Sequence, residues 1–67
     1  MENKELLVHI KESIRKLPLK YRVPITLYLN NLAYEDISAI LKCSVGQAKS
    51  LVFRAKNLIK AMLFENH

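Results

Sequence analysis

Sixty-seven residues, 51% of them hydrophobic and with a net charge of +5, make one small domain near the lower size limit for folding without a disulfide or metal. One Gly and two Pro disfavour a turn-rich β fold or a disordered tail, and the lone Cys43 excludes an internal disulfide and, lacking a CxxC partner, a zinc finger. No apolar run reaches the roughly 20 residues that span a bilayer, and the start MENKELL lacks the basic-then-hydrophobic order of a targeting segment, so the expected setting is reducing cytoplasm.

Leu7, Ile10, Ile14 and Leu17 recur at three-to-four spacing and predict an amphipathic helix over 3–16, ended by Pro18. Pro18 also suits the start of a second helix over 19–31, with Tyr21, Ile25, Tyr28, Leu29 and Leu32 on one side and Asn30 and Asn31 as the stop. Pro24 lies inside that segment, removes a donor and disfavours the helical conformation at Val23, so a late start or a slight bend is expected. A short third helix over 34–41 turns Ile37, Ile40 and Leu41 inward and sets Glu35 and Asp36 near its positive end. Ala33 precedes it where a capping side chain belongs, a lack that costs about 0.5–2 kcal/mol and predicts a frayed start. Lys42, Cys43 and Ser44 connect it to a fourth helix over 45–63, whose start is marked by Ser44 and, three positions on, Gln47, the spacing of a capping box. With no repeats or linkers, residues 1–67 read as one all-α, four-helix domain with a C-terminal helix-turn-helix.

The fourth helix carries the functional signal. Successive residues about 100° apart put Val45, Ala48, Val52, Ala55, Ile59 and Met62 on one face. The opposite face presents Gln47, Ser50, Phe53, Arg54 and Asn57, and Lys49, Lys56 and Lys60 line one flank. From Lys42 to Lys60 there are five basic residues and no acidic one, a concentrated positive field suited to a polyanion. Arg54 has the donors for guanine O6 and N7, Gln47 those for adenine or a phosphate, and Phe53 packs well on a thymine methyl; the flank lysines need only neutralise phosphates. Taken singly, Phe53 could cover a neighbouring side chain and Arg54 could be an ordinary surface charge. On the second helix after a three-residue turn, together, they point to a duplex.

Three segments carry a resemblance. LPLKYR at Leu17 to Arg22, AYEDISAIL at Ala33 to Leu41 and SVGQAKSLVFRAK at Ser44 to Lys56 resemble the LPxxYR, SYEEIAxIL and SVGTVKSRLxRAR of region four of the bacterial sigma-70 family, in particular the extracytoplasmic-function sigma factors. The resemblance covers about Leu17 to Leu63 and implies a domain that recognises the minus-35 promoter element with its last helix and docks on the flap of the RNA polymerase β subunit with its earlier ones. It also implies DNA-facing roles for Lys49, Ser50, Phe53 and Arg54, with Lys56 near the backbone and Tyr34 and Glu35 at the start of the supporting helix. Three positions depart from the pattern: Ala33 stands for the capping Ser, Gln47 and Ala48 for Thr-Val, and Leu51 for a basic residue. Proteins of this group carry a second module that binds the minus-10 element and has no counterpart here, so the chain is expected to be an excised domain, with a stand-alone regulator as the alternative.

Nothing points to an enzyme, a metal or a cofactor. His9 and His67 have no nucleophile or metal partner at a useful spacing, Cys43 reads as a small buried apolar group, and Glu35 and Asp36 diverge from adjacent helical positions. Two competing readings remain: a response-regulator-type helix-turn-helix, and a helical module bound by an anti-sigma factor or by polymerase with only weak DNA contact. Leu51 and Phe53 support the second and the basic stripe opposes it.

Overall fold

The computed structural model describes the backbone of residues 2–65 and the side chains of residues 8–64. Among the described residues there are four helices and no strand: α1 (Glu2–Lys16), α2 (Leu19–Leu29), α3 (Tyr34–Leu41) and α4 (Val45–Glu65). Leu7, expected on the inward side of α1, and His67 lie outside the described side chains.

Pro18 separates the first two helices. The residue before a proline is disfavoured in the helical region, so α1 stops at Lys16. Pro18 then caps α2 (φ −55°, ψ 151°), its carbonyl accepting the amides of Tyr21 at 3.0 Å and Arg22 at 2.9 Å. With the Pro18 carbonyl already accepting the first helical amides, although no side chain caps the helix, α2 begins at Leu19 without the expected late start. Pro24 lies within the helix, buried, and leaves the Lys20 carbonyl without the amide an ordinary residue would supply. The helix ends two residues earlier than the expected 31. Asn31 turns left-handed at φ 69°, and the amides of Leu32 and Asn31 reach back to the carbonyls of Leu27 and Tyr28 at 3.3 and 3.0 Å, the paired bonds of a Schellman stop.

α3 starts cleanly at Tyr34 despite Ala33. The Ala33 backbone already holds an extended cap conformation and its carbonyl accepts the Ile37 amide at 3.0 Å, although no side chain caps the helix. Fraying is opposed by Glu35 and Asp36 at the positive end and by the complete burial of Ile37.

α4 packs on the other three helices and supplies the centre of the core. Ala48, Val52, Ala55 and Ile59 close against Leu17, Ile25 and Ile37, and the two alanines allow the preceding helices a close approach. Two expected inward residues face out: Ile40 is 55% exposed and Leu29 is 53% exposed. In an eight-residue helix the stripe at i, i+3, i+4 and i+7 from Tyr34 is Tyr34, Ile37, Ser38 and Leu41, so Ser38 takes the place expected for Ile40. Its hydroxyl is satisfied by donating to the Glu35 carbonyl at 2.8 Å. Leu29 lies one turn beyond Ile25 as the last residue of α2, at the margin of the stripe set by Tyr21, Ile25 and Tyr28.

Candidate nucleic-acid interface

The turn that aims α4 is built from one left-handed residue and one capping box. Lys42 adopts a left-handed conformation (φ 59°, ψ 47°), which lets the Cys43 amide reach the Ser38 carbonyl at 3.0 Å and the Lys42 amide reach that of Ala39 at 3.3 Å. Ser44 then opens α4 with a reciprocal capping box: the Gln47 amide donates to Ser44 Oγ, and the Ser44 amide donates to Gln47 Oε1, both at 3.1 Å. The Val45 and Gly46 amides have no intrahelical acceptor at this positive end, and no acidic residue occupies the first turn. A β-carbon added at Gly46 would meet only Ser44 Oγ, at 3.9 Å, so the fold itself does not demand the chain's one glycine here.

Beyond the turn, one face of α4 is solvent-exposed throughout. Gln47, Ser50, Phe53, Arg54 and Asn57 are all exposed, Phe53 by 64%. On one side of that face, Arg54 lies beside Tyr21 of α2. The Tyr21 hydroxyl is held below its ordinary pKa, chiefly by the neighbouring Arg54 guanidinium and further by the Lys20 charge, against an opposing contribution from desolvation. A guanidinium has five donors, so this contact leaves others for an outside acceptor. Gln47, Ser50, Leu51 and Arg54, at i, i+3, i+4 and i+7, line an open groove together with Cys43, Ser44 and Gly46.

On the other side runs a row of cations and rings. Lys49 Nζ lies 5.7 Å from the centre of the Tyr34 ring, and Tyr34 stacks on Tyr28 with centroids 5.6 Å apart and 21° between planes. Lys56 Nζ lies 4.4 Å from the centre of the Tyr28 ring and donates to its hydroxyl at 3.3 Å. Lys60 is exposed further along this flank.

Of the residues singled out from sequence, Ser44, Gln47, Lys49, Ser50, Phe53, Arg54, Lys56 and Asn57 share the exposed surface of α4 and its turn. Tyr34 is half-buried beneath Lys49, and Glu35 is exposed in the first turn of α3. Tyr21 and Tyr28 escape sequence reading, because periodicity alone counts each as core; both line the core and also lie beside a cation of α4. Leu51 is half-buried. It closes a second, mainly apolar groove with Leu19, Lys20, Val23, Pro24, Leu41 and Cys43, which gives the leucine a local role where the family pattern carries a cation. Cys43, expected to be buried, is only half so and borders both grooves. Among the described residues no three His, Cys, Asp or Glu side chains cluster as a metal site would need, and no helix is long and apolar enough to cross a membrane.

A short supporting helix, a tight turn and a longer helix with one exposed, basic-edged face define a helix-turn-helix. Residues 7–59 match the family described as sigma-70, region 4. The chain is 42% identical over 60 residues to the ECF RNA polymerase sigma-E factor of Escherichia coli (strain K12), a match that covers 88% of this chain and 31% of that protein. The sigma-E factor of Salmonella typhi gives the same figures, and that of Haemophilus influenzae is 39% identical over 61 residues, 90% of this chain and 32% of that protein. The chain therefore belongs to the sigma-70 region 4 family, in the form found in extracytoplasmic-function sigma factors. It spans about a third of the length of the curated relatives it matches.

Proposed function

We propose that this chain is the promoter-reading domain of a sigma factor, in which α4 enters the major groove of the minus-35 element while the earlier helices dock on the flap of the RNA polymerase β subunit in the cytoplasm. The observation that carries the reading is the exposed face of α4, where Gln47, Ser50, Phe53, Arg54 and Asn57 project opposite a fully packed face and beside a basic edge. In this reading Arg54 donates to a guanine edge, Phe53 packs on a thymine methyl, Gln47 uses the amide nitrogen its capping bond leaves over, and Lys49 and Lys56 meet phosphates. Ser44, with its turn, and Tyr34 and Glu35, at the start of the supporting helix, sit close to the backbone of the duplex. Gly46 supports this arrangement, since a glycine that the fold does not need lets another backbone approach the positive end of α4.

The apolar groove supports the second half of the reading. Leu19 is 64% exposed at its rim, and with Val23, Leu41 and Leu51 it offers a mainly apolar surface, bordered by Lys20. The same groove favours the alternative that a protein, an anti-sigma factor or polymerase, is the main partner and DNA contact is weak. Amide-shift mapping of the isotopically labelled chain with two titrants tests both. A duplex selected from a random library should move the amides of residues 44–57 and Tyr34, and a flap fragment should move those around Leu19, Val23 and Leu41. Selection that returns no common motif, or duplex-induced shifts confined to the apolar groove, would contradict promoter reading.

A further inference from the structure

We propose that Tyr28, on α2 and remote from the reading face in sequence, is a positioning residue for the phosphate-contacting edge of α4, and that its stacked partner Tyr34 does the same for Lys49. The inference rests on the reading of α4 as a DNA-binding helix. Lys49 and Lys56 are seven residues apart, about 10.5 Å along the helix, so they can meet different phosphates of one backbone. Each is a long, exposed side chain whose rotamer freedom would be lost on binding, and that loss weakens association. Here both ammonium groups are already gathered against one aromatic pair: Lys56 Nζ at 4.4 Å from the Tyr28 ring centre and 3.3 Å from its hydroxyl, Lys49 Nζ at 5.7 Å from the Tyr34 ring centre, and the two rings stacked at 5.6 Å. Both rings also pack against the core, so the platform is anchored to α2 and α3 and does not move with the lysines. A ring face and a hydroxyl leave the ammonium charge unneutralised, unlike a carboxylate. The row therefore orders the cations and keeps their full attraction for a polyanion.

The test is a double-mutant cycle read by fluorescence anisotropy, with the full chain and a labelled mixed-sequence duplex at low salt. Tyr28→Leu, which removes both ring and hydroxyl, should weaken binding about two- to fivefold, the range expected for an exposed cation–ring contact, and Tyr28→Phe should fall between it and the unaltered chain. In a Lys56→Ala background Tyr28→Phe, which keeps the ring stacked on Tyr34, should be nearly silent, because the cation its hydroxyl positions is gone, and Tyr28→Leu should keep only the smaller part that acts through Tyr34 on Lys49. The salt dependence should stay as steep in Tyr28→Phe as in the unaltered chain, since no charge is lost, and should flatten only when Lys56 is removed. Should Tyr28→Leu fail to fold, the Tyr28→Phe arm alone decides the question. Equal losses with and without Lys56, or no loss on changing Tyr28, would overturn the positioning role while leaving DNA binding intact. No loss on Lys56→Ala itself would overturn the backbone contact and the positioning role together.

Discussion

Lys42 is the residue on which the direction of α4 turns. Its left-handed backbone at φ 59° allows the amides of Lys42 and Cys43 to close the open carbonyls of α3. A β-carbon in that conformation meets the following carbonyl, at a cost of about 1–2 kcal/mol that glycine does not incur, partly offset by the extra chain entropy glycine loses on folding. Lys42→Gly should therefore raise the unfolding free energy by about 0.5–1 kcal/mol, seen as a higher urea midpoint at an unchanged slope. A lower midpoint would mean that the lysine side chain holds the turn in a way the backbone geometry does not convey. Asn31, the other left-handed residue among those described, needs no such remedy, because asparagine tolerates this region through its short polar side chain.

At the scale of elements, the start of α3 lacks a side-chain cap. The Ala33 backbone is already set as a cap, at φ −72° and ψ 156°, yet no side chain takes up the first amides. Ala33→Ser should add an acceptor without moving the chain and stabilise the fold by about 0.5–2 kcal/mol, measurable as a raised thermal midpoint and slower amide exchange at Glu35 and Asp36. Faster exchange there would show that the serine fails to reach them. The helix boundaries that sequence reading placed well are those written in local chemistry: Pro18 ends α1, and the Ser44 and Gln47 pair starts α4. Those it misplaced depend on a choice between equivalent local options. Asn30 and Asn31 both qualify as a stop, and only the left-handed turn of Asn31 fixes the end of α2 at Leu29. Ile40 was assigned inward for its hydrophobicity, whereas the angular position around α3 favours the smaller Ser38.

Taken as a whole molecule, the exposed face of α4 was legible because the helix packs through one stripe, so periodicity alone separates Val52 and Ala55 from Phe53 and Arg54. The row from Lys49 through Tyr34 and Tyr28 to Lys56 was not, because it joins residues up to 28 positions apart through the docking of α2 on α4. The same docking gives each flank of α4 its own tyrosine, Tyr21 beside Arg54 and Tyr28 beside Lys56, and the proposed function divides that surface into a side that reads bases and a side that meets phosphates. That division is the central claim, and one measurement addresses it most directly: fluorescence anisotropy of Arg54→Ala and Lys56→Ala against a library-selected duplex and its scrambled counterpart over a range of salt concentrations. Arg54→Ala should cost about 1–3 kcal/mol on the selected duplex and much less on the scrambled one, because a guanine edge is lost only where it is read. Lys56→Ala should weaken both alike and lower the salt slope by about one, because one phosphate fewer is neutralised. Equal losses on the two duplexes for Arg54→Ala would contradict the account and leave α4 as a carrier of charge that does not read sequence.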